Sequence, residues 1–573
     1  MKIKFSDFVF KYFSEKGLDT VFTVSGGAAA HLLDSLGKSD FKYICNNHEQ
    51  ACAMSAEGYA RIANKPAIVL VTNGPGSTNT LTGVIGAYQD SIPMIVISGQ
   101  VPCSQSMTSY PNLDLRQIGV QECNIIDIVS SITKFSAKIT DINSAAFILN
   151  AAYVSAISGR KGPVWIDIPI DIQNKYIEEP YFDDQHPSKN YVYTKALIEK
   201  LEQSKRPLII TGNGIHLSQT EEQFHNFLKQ VKIPCVSTWT SKDLFDQKDP
   251  LFIGNFGIIG ERAANYAVQN ADLLLILGSR LSVLNTGYQS HLFAPNAFKI
   301  MVDIDNNEIN KPSLSIDLSI QTNLIHFFNS TESMENYERK DWIKNLLELK
   351  NDLDIFKEPH VEDEISVNSY RFIEELSKKI DNHIVVTDMG TSFTCTMQAL
   401  RLNGNARLFT SSACCSMGFG LPGAIGASLA TKKPVICIAG DGGFQMNIQE
   451  LQTIITNQLS IKIFVFNNQG YLAITIMQDN LFNNNYVASE NSSGVVSPDF
   501  CKVAKAYGLE TCKINTNEDL HLIEKVLSND GPILCEINMN RNQLMIPRVQ
   551  SEKDEDGNIF SNPLDKMYPY VVN

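Results

Sequence analysis

Short apolar runs, each stopped by glycine, proline or asparagine, recur in three sets along the chain and leave little choice of fold. The first set contains FKYICNN, PAIVLVT and MIVISG and closes with KGPVWIDIPIDIQ. The second contains PLIITGNG, ADLLLILGSR and FKIMVDID; the third contains NHIVVTDMG, PVICIAGDGG, IKIFVFNN and PILCEINM. Each run is too short for an independent helix, and helix-periodic stretches lie between them. Such runs read as strands buried on both faces, and strands alternating with helices build parallel sheets. The expected fold is α/β, with three doubly wound parallel-sheet domains over residues 1–175, 192–328 and 364–540 and a polar, turn-rich tail over 541–573. The stretch NKYIEEPYFDDQHPSKN reads as a linker, and the charged stretch from Ser330 to Asp363 reads as a second connection with a helical pattern and no strand.

The length of 573 residues suits three or four domains at roughly 150 residues each. A net charge of −14 argues against general binding to nucleic acid or to a membrane surface, while leaving room for a local anion site. No run of 18 apolar residues is present, so no membrane span is expected. The N-terminus MKIKFSDFVFKYFSEKG has charges among its apolar residues and lacks a signal peptide's apolar stretch. The 12 cysteines are scattered with no C-x-x-C, which reads as reduced thiols in a cytoplasm rather than a disulfide frame or zinc site.

The segment from Gly440 to Tyr471, GDGGFQMNIQELQTIITNQLSIKIFVFNNQGY, concentrates the chemistry. PVICIAG reads as a strand ending at Asp441, Ile448, Leu451 and Ile455 fall on one helical face, and IKIFVFNN reads as the next strand, ending at Asn468. A strand–helix–strand crossover makes the two strands parallel, so both side chains lie at one carboxyl edge, where open α/β sheets bind ligands. A carboxylate and an amide oxygen are hard donors that suit Mg²⁺ or Ca²⁺. Mg²⁺ takes few protein ligands and completes its shell with phosphate and water. The carbonyl of Gly470 is a third candidate ligand, and Gly442 and Gly443 let backbone N–H groups approach a phosphate. The plainer alternative is a helix-capping Asp441 and a turn at Asn467–Asn468. GFGLPG, from Gly418 to Gly423, also imitates a dinucleotide fingerprint, although Pro422 sits inside it.

A G-D-G…N-N motif at this spacing resembles the thiamin-diphosphate enzymes. SGGAAAHLLDSL, NNHEQACAMSAEGYAR, VTNGPGSTN, DSIPMIVISGQV, GPVWIDIPIDIQ, SMGFGLPGAIGA and GDGGFQMNIQEL resemble the acetolactate synthase / 2-oxo acid decarboxylase family along nearly the whole chain. LRQIGVQE, NNQGYLAI, SSGVVSPDFCKVAKAYGL and NPLDKMYPY are similar to a subgroup associated with bacterial surface-polysaccharide clusters. The resemblance implies a pyrimidine-binding, a central and a diphosphate-binding domain. It also implies a homodimer or homotetramer with active sites between the first domain of one subunit and the third of another.

It further implies thiamin diphosphate and Mg²⁺ as cofactors, with metal ligands Asp441, Asn468 and Gly470. Glu49 matches the glutamate that contacts the cofactor's aminopyrimidine; the alternative is an acid opening a helix. Met417 matches the apolar wedge beneath the cofactor, the alternative being a core methionine. Gly390, Thr391 and Ser392 match a diphosphate loop, Gly442 and Gly443 the loop beside the metal, and Tyr471 a cofactor contact. Cys415 stands where the family has glycine, its backbone carbonyl remaining available. Gly26, Gly27 and Gln121 match positions beside the reacting carbon, and Ile474 and Met477 match pocket positions, with plain helix core as the alternative. His31 replaces a usual proline, either as a polar contact to substrate or as an ordinary half-buried histidine. In the central domain Arg280 and Asp303 are candidate FAD contacts, surface salt bridges being the alternative.

The implied activity is decarboxylation of a 2-oxo acid, pyruvate being expected, with transfer of the acyl-anion equivalent to a carbonyl acceptor. A second pyruvate gives acetolactate, and a keto-sugar nucleotide gives a branched sugar. A simple 2-oxo acid decarboxylase is the nearest rival, and a non-catalytic regulatory subunit or binding module the rival of a different class.

Overall fold

The computed structural model describes residues 2–178, 195–331, 334–553 and 559–570. Most of the expected first linker, and residue 192 where the central unit is expected to begin, lie outside the described residues. Among the described residues there are three six-stranded sheets, every strand pair within them parallel. No helix in them is long and apolar enough to cross a membrane.

The first sheet runs in the spatial order Lys42–Cys45, Thr20–Thr23, Ala67–Val71, Met94–Gln100, Pro163–Pro169, Phe135–Lys138. The third runs Arg407–Phe409, Ile384–Thr387, Val435–Gly440, Ile461–Asn467, Ile533–Asn538, Glu510–Ile514. Numbered along the chain, both have the order 2-1-3-4-6-5, so these two units share one topology. The central sheet differs: Phe252–Asn255, Cys235–Ser237, Pro207–Thr211, Leu273–Leu277, Phe298–Asp303, Leu318–Gln321. Its order, 3-2-1-4-5-6, is that of dinucleotide-binding sheets, with the switch point between Pro207–Thr211 and Leu273–Leu277. The apolar runs of the inner strands are buried, as strands covered by helices on both faces must be, while the edge strand Lys42–Cys45 buries only Ile44 and leaves Tyr43 exposed.

The tail does not stand apart. Val549, Leu564 and Met567 join the core of the central unit beside Trp342 and Leu346 of the helix Lys340–Asp352. Arg262 ties them down, donating to the carbonyls of Met567 and Pro569 and to Glu358.

First and third units meet where the helix Glu49–Ala63 crosses the helix Gly420–Ala430. A Cβ on Gly426 would lie 1.9 Å from the Ser55 carbonyl oxygen, and one on Gly58 would lie 2.2 Å from that of Gly423. Only glycine permits this approach, which gives Gly423 and Gly426 a packing role in place of a dinucleotide fingerprint. The third unit meets the central one through ions. Asp243 is fully enclosed and bonds Arg407 Nε at 2.7 Å and His216 Nε2 at 2.8 Å, while His216 Nδ1 lies 2.9 Å from Glu221.

Burial and the Arg407 charge disfavour imidazolium at His216, but the carboxylates of Asp243 and Glu221 outweigh them and raise its pKa above 6.5. A raised histidine contributes stability that is whole below its unfolded pKa and is lost as pH rises through the folded one. The melting temperature should therefore fall between pH 6 and pH 9. In His216→Gln that pH-dependent part should vanish, which thermal scans across the range will show.

Candidate functional site

Two clusters of the expected site residues form, one at each carboxyl sheet edge of the first and third units. In the third unit, Gly440 pairs with Phe466 at the ends of adjacent parallel strands, so Asp441 and Asn468 both leave the sheet at the same carboxyl edge. Asp441 is 3% exposed. The Gly470 N–H and the Ser497 hydroxyl each donate to its Oδ2 at 3.0 Å, and the Gly442 N–H donates to Oδ1 at 2.8 Å. Burial pushes the carboxyl's pKa up against these bonds. Asn468 is 8% exposed, and its Oδ1 is buried with no hydrogen-bond partner. A buried amide oxygen without a donor is costly, and one beside a carboxylate is a ready ligand for a hard cation. The residues present therefore fit Mg²⁺.

Around this pair lies a cradle. A Cβ on Gly442 would fall 2.2 Å from the Tyr471 ring and 3.0 Å from Met417 Cε, so both side chains close over that glycine. Gly390, at φ +89°, opens the helix Thr391–Ala399, whose first N–H groups favour an anion. Gly440 brings the two loops together: its Cβ position lies 3.7 Å from Ser392 Oγ. Thr391 is half-buried and Ser392 buried.

Sequence reasoning missed the carboxylate that assembles these loops. Asp388 accepts from the N–H groups of Met389, Gly418 and Gly420 at 2.7–3.0 Å and lies 2.4 Å from the Cβ position of Gly443. Burial raises its pKa to about 6 despite the three donors. Its signal was available: NHIVVTDMG ends in aspartate and glycine as PVICIAGDGG does.

At the first unit's edge, Glu49 is the first residue of its helix, capped by His48, whose ring accepts from the Gln50 N–H. Asn79 Nδ2 donates to Glu49 Oε2 at 3.0 Å, and Oε1 lies 3.6 Å from the Cβ position of Gly76. A Cβ on Gly26 would lie 2.4 Å from that of Thr72, while Gly27 faces open space. Gly74, at φ +58°, lies against the carbonyl of Gln121, itself a non-glycine residue at φ +59°. Glu122 holds that loop by accepting from Ser106, Met107, Ile118 and Gly119. His31 is half-buried in the first turn of the helix Ala30–Lys38. A hydrogen bond from Asn447 to Gln50 and one from Asn46 to Glu450 join the two clusters.

Ile474 and Met477 lie on the helix Leu472–Phe482 and are 39% and 42% exposed, so within one chain they are not helix core. Arg280 and Asp303 line a cavity of about 460 Å³ at the central switch point, together with Gly212, Gly214 and Gly278. The Gly212 Cβ position is 2.3 Å from the Gly278 carbonyl oxygen, so backbone lines the crevice. Neither Arg280 nor Asp303 forms an ion pair among the described residues; burial raises Asp303 to about 6. These residues fit a dinucleotide.

Models of the thiamine pyrophosphate enzymes match the chain in three places: the N-terminal TPP binding domain at residues 3–125, the central domain at 194–329 and the C-terminal TPP binding domain at 388–537. The chain belongs to the thiamine pyrophosphate enzymes. It is 31% identical to the acetolactate synthase isozyme 1 large subunit of Escherichia coli K12, over 95% of both chains. It is 32% identical to the acetolactate synthase large subunit of Cyanidium caldarium, over 93% of this chain and 92% of the other. The corresponding large subunit of Lactococcus lactis is 31% identical over 96% and 95%.

The side chain at Cys415 has a backbone cost. Cys415 sits at φ +55°, where glycine is at ease and an L side chain is strained. Its Sγ–H bonds the Ser412 carbonyl at 3.0 Å. Cys415→Gly should leave unfolding free energy within about 0.5 kcal/mol, whereas β-branched Cys415→Val should cost about 1–2 kcal/mol. Chemical denaturation of the two variants checks this.

Proposed function

We propose that this thiamin-diphosphate enzyme is Mg²⁺-dependent, decarboxylates a 2-oxo acid, pyruvate first, and transfers the acyl-anion equivalent to a carbonyl acceptor. The observation that carries the metal, and with it the diphosphate, is the partnerless buried Oδ1 of Asn468 beside Asp441. Asp441, Asn468 and the Gly470 carbonyl would hold the ion. Gly390–Ser392 and the Gly442–Gly443 backbone would receive the diphosphate, and Met417 and Tyr471, which close over Gly442, would contact the cofactor. When bound, thiamin diphosphate supplies a nucleophilic thiazolium carbon and an electron sink for the carboxylate's departure.

The chain's own tasks are to orient, to exclude water and to place a proton. Glu49 would hold a proton against the aminopyrimidine nitrogen, its carboxyl steadied by Asn79 Nδ2. Gly26 and Gly27 would admit the 2-oxo acid through bare backbone, and the strained Gln121 would face the reacting carbon. The exposed Ile474 and Met477 would line the acceptor side once a second subunit docks. This supports a homodimer, or a homotetramer, with each site shared between chains. The relatives' names favour a second pyruvate as acceptor and acetolactate as product. His31 and the surface-polysaccharide-type motifs favour a keto-sugar nucleotide instead. FAD in the central cavity, against Arg280 and Asp303, and a cytoplasmic location complete the reading.

In Glu49→Gln, the deuterium exchange rate at C2 of bound cofactor should fall about 10²–10⁴-fold with the melting temperature unchanged; an unchanged rate removes Glu49 from this role. Asp441→Ala should weaken Mg²⁺ and cofactor binding together in calorimetry. Mass analysis of products from pyruvate, with and without keto-sugar nucleotides, separates the acceptors, and acetaldehyde alone would mark a simple decarboxylase. A colourless, fully active preparation would exclude a need for flavin.

A further inference from the structure

The crossover after Asp441 is broken, and the break presents two polar side chains to the turn that carries Glu49. Where one continuous helical face is expected, the chain forms a helix Asp441–Met446, a 3₁₀ turn Ile448–Glu450 and a helix Leu451–Thr456. Asn447 Nδ2 donates to the Gly418 carbonyl at 2.8 Å and to Gln50 Oε1 at 3.3 Å. Glu450 is fully buried. Its Oε1 accepts from the Asn47 N–H at 2.9 Å, and its Oε2 accepts from Asn46 Nδ2 at 2.9 Å and the Thr453 hydroxyl at 2.7 Å. Asn46 and Glu450 are 404 positions apart, so this contact belongs to the assembled units and not to local chain structure.

We propose that Glu450 is a positioning residue for Glu49. It fixes the Asn46–Asn47 backbone, and thereby where the following helix starts and where the Glu49 carboxyl points. The proposal rests on the role given to Glu49 above. Three donors converge on Glu450, and only an acceptor-only group satisfies them all. An amide of the same shape would set its NH₂ against that of Asn46. No lysine or arginine pairs with Glu450 among the described residues, and a buried carboxylate without a cation costs stability. What the group supplies is therefore geometry. Small displacements of a proton-handling group carry large rate penalties, which makes such a clamp consequential.

The test uses the holoenzyme with thiamin diphosphate and Mg²⁺. Glu450→Gln, Asn46→Ala, their combination and Glu49→Gln are compared for C2 deuterium exchange of bound cofactor, for cofactor Kd and for melting temperature. Glu450→Gln and Asn46→Ala should each slow exchange about 10- to 100-fold while changing Kd by less than about threefold. The double variant should be no slower than Glu450→Gln alone, because both changes break the same bond. Should Glu450→Gln fail to fold, Asn46→Ala, which keeps the buried carboxylate, carries the test by itself. Exchange unchanged in these variants while Glu49→Gln abolishes it overturns the proposal. So does an affinity loss equal to the loss in exchange, which marks a merely structural role. Intact exchange in Glu49→Gln sinks the reading of Glu49 itself, and the positioning role with it, and is recognisable as that separate failure.

Discussion

The crossing of the helices Glu49–Ala63 and Gly420–Ala430 sets how closely the first and third units of this chain approach each other. At Gly58, Gly423 and Gly426 the two backbones touch, with no room for even a methyl group. A side chain at Gly58 or Gly426 would push the first and third units apart. The Glu49 turn and the Gly418–Gly420 turn stand at the N-terminal ends of these two helices. A helix pair locked by backbone contact is stiff, because close-packed interiors transmit displacement instead of absorbing it.

Carboxylates then convert this coarse placement into loop geometry. Asp388 gathers the Met389, Gly418 and Gly420 N–H groups and so joins the loop before Gly390 to the turn that bears Met417. Glu122 gathers the loop that strains Gln121, and Glu450 gathers the turn before Glu49. Each uses the same physics: irregular backbone leaves N–H groups without ladder partners, and a buried acceptor-only group satisfies several at once. The candidate catalytic groups sit on irregular backbone of this kind, at strand ends, and the carboxylates behind them stand in for the regularity that a sheet or helix would provide.

The central unit uses a different sheet order from its neighbours, and its cavity follows from that order. Strands diverge on either side of the switch point, leaving a crevice that the Gly212 and Gly278 backbones line. The outer units share a topology in which ligands gather over loops at one sheet edge. The ionic bridge from Asp243 to His216 and Arg407 joins the two architectures.

The strands, their parallel sense and the pairing of Asp441 with Asn468 were determined by sequence alone, because buried apolar runs and crossover length are local properties of the chain. So was the candidate status of Glu49, Met417 and Gly442, through motif resemblance. Asp388 was legible in principle, since its run ends as the Asp441 run does. Tertiary structure alone decided that GFGLPG packs a helix, that the crossover breaks at Asn447 to reach the first unit, that the tail folds onto the central core, and that Asn468 Oδ1 is left without a donor. Those outcomes depend on which surfaces meet across hundreds of residues. Burial and hydrogen-bond completion are properties of that meeting, and no window of sequence contains both sides of it.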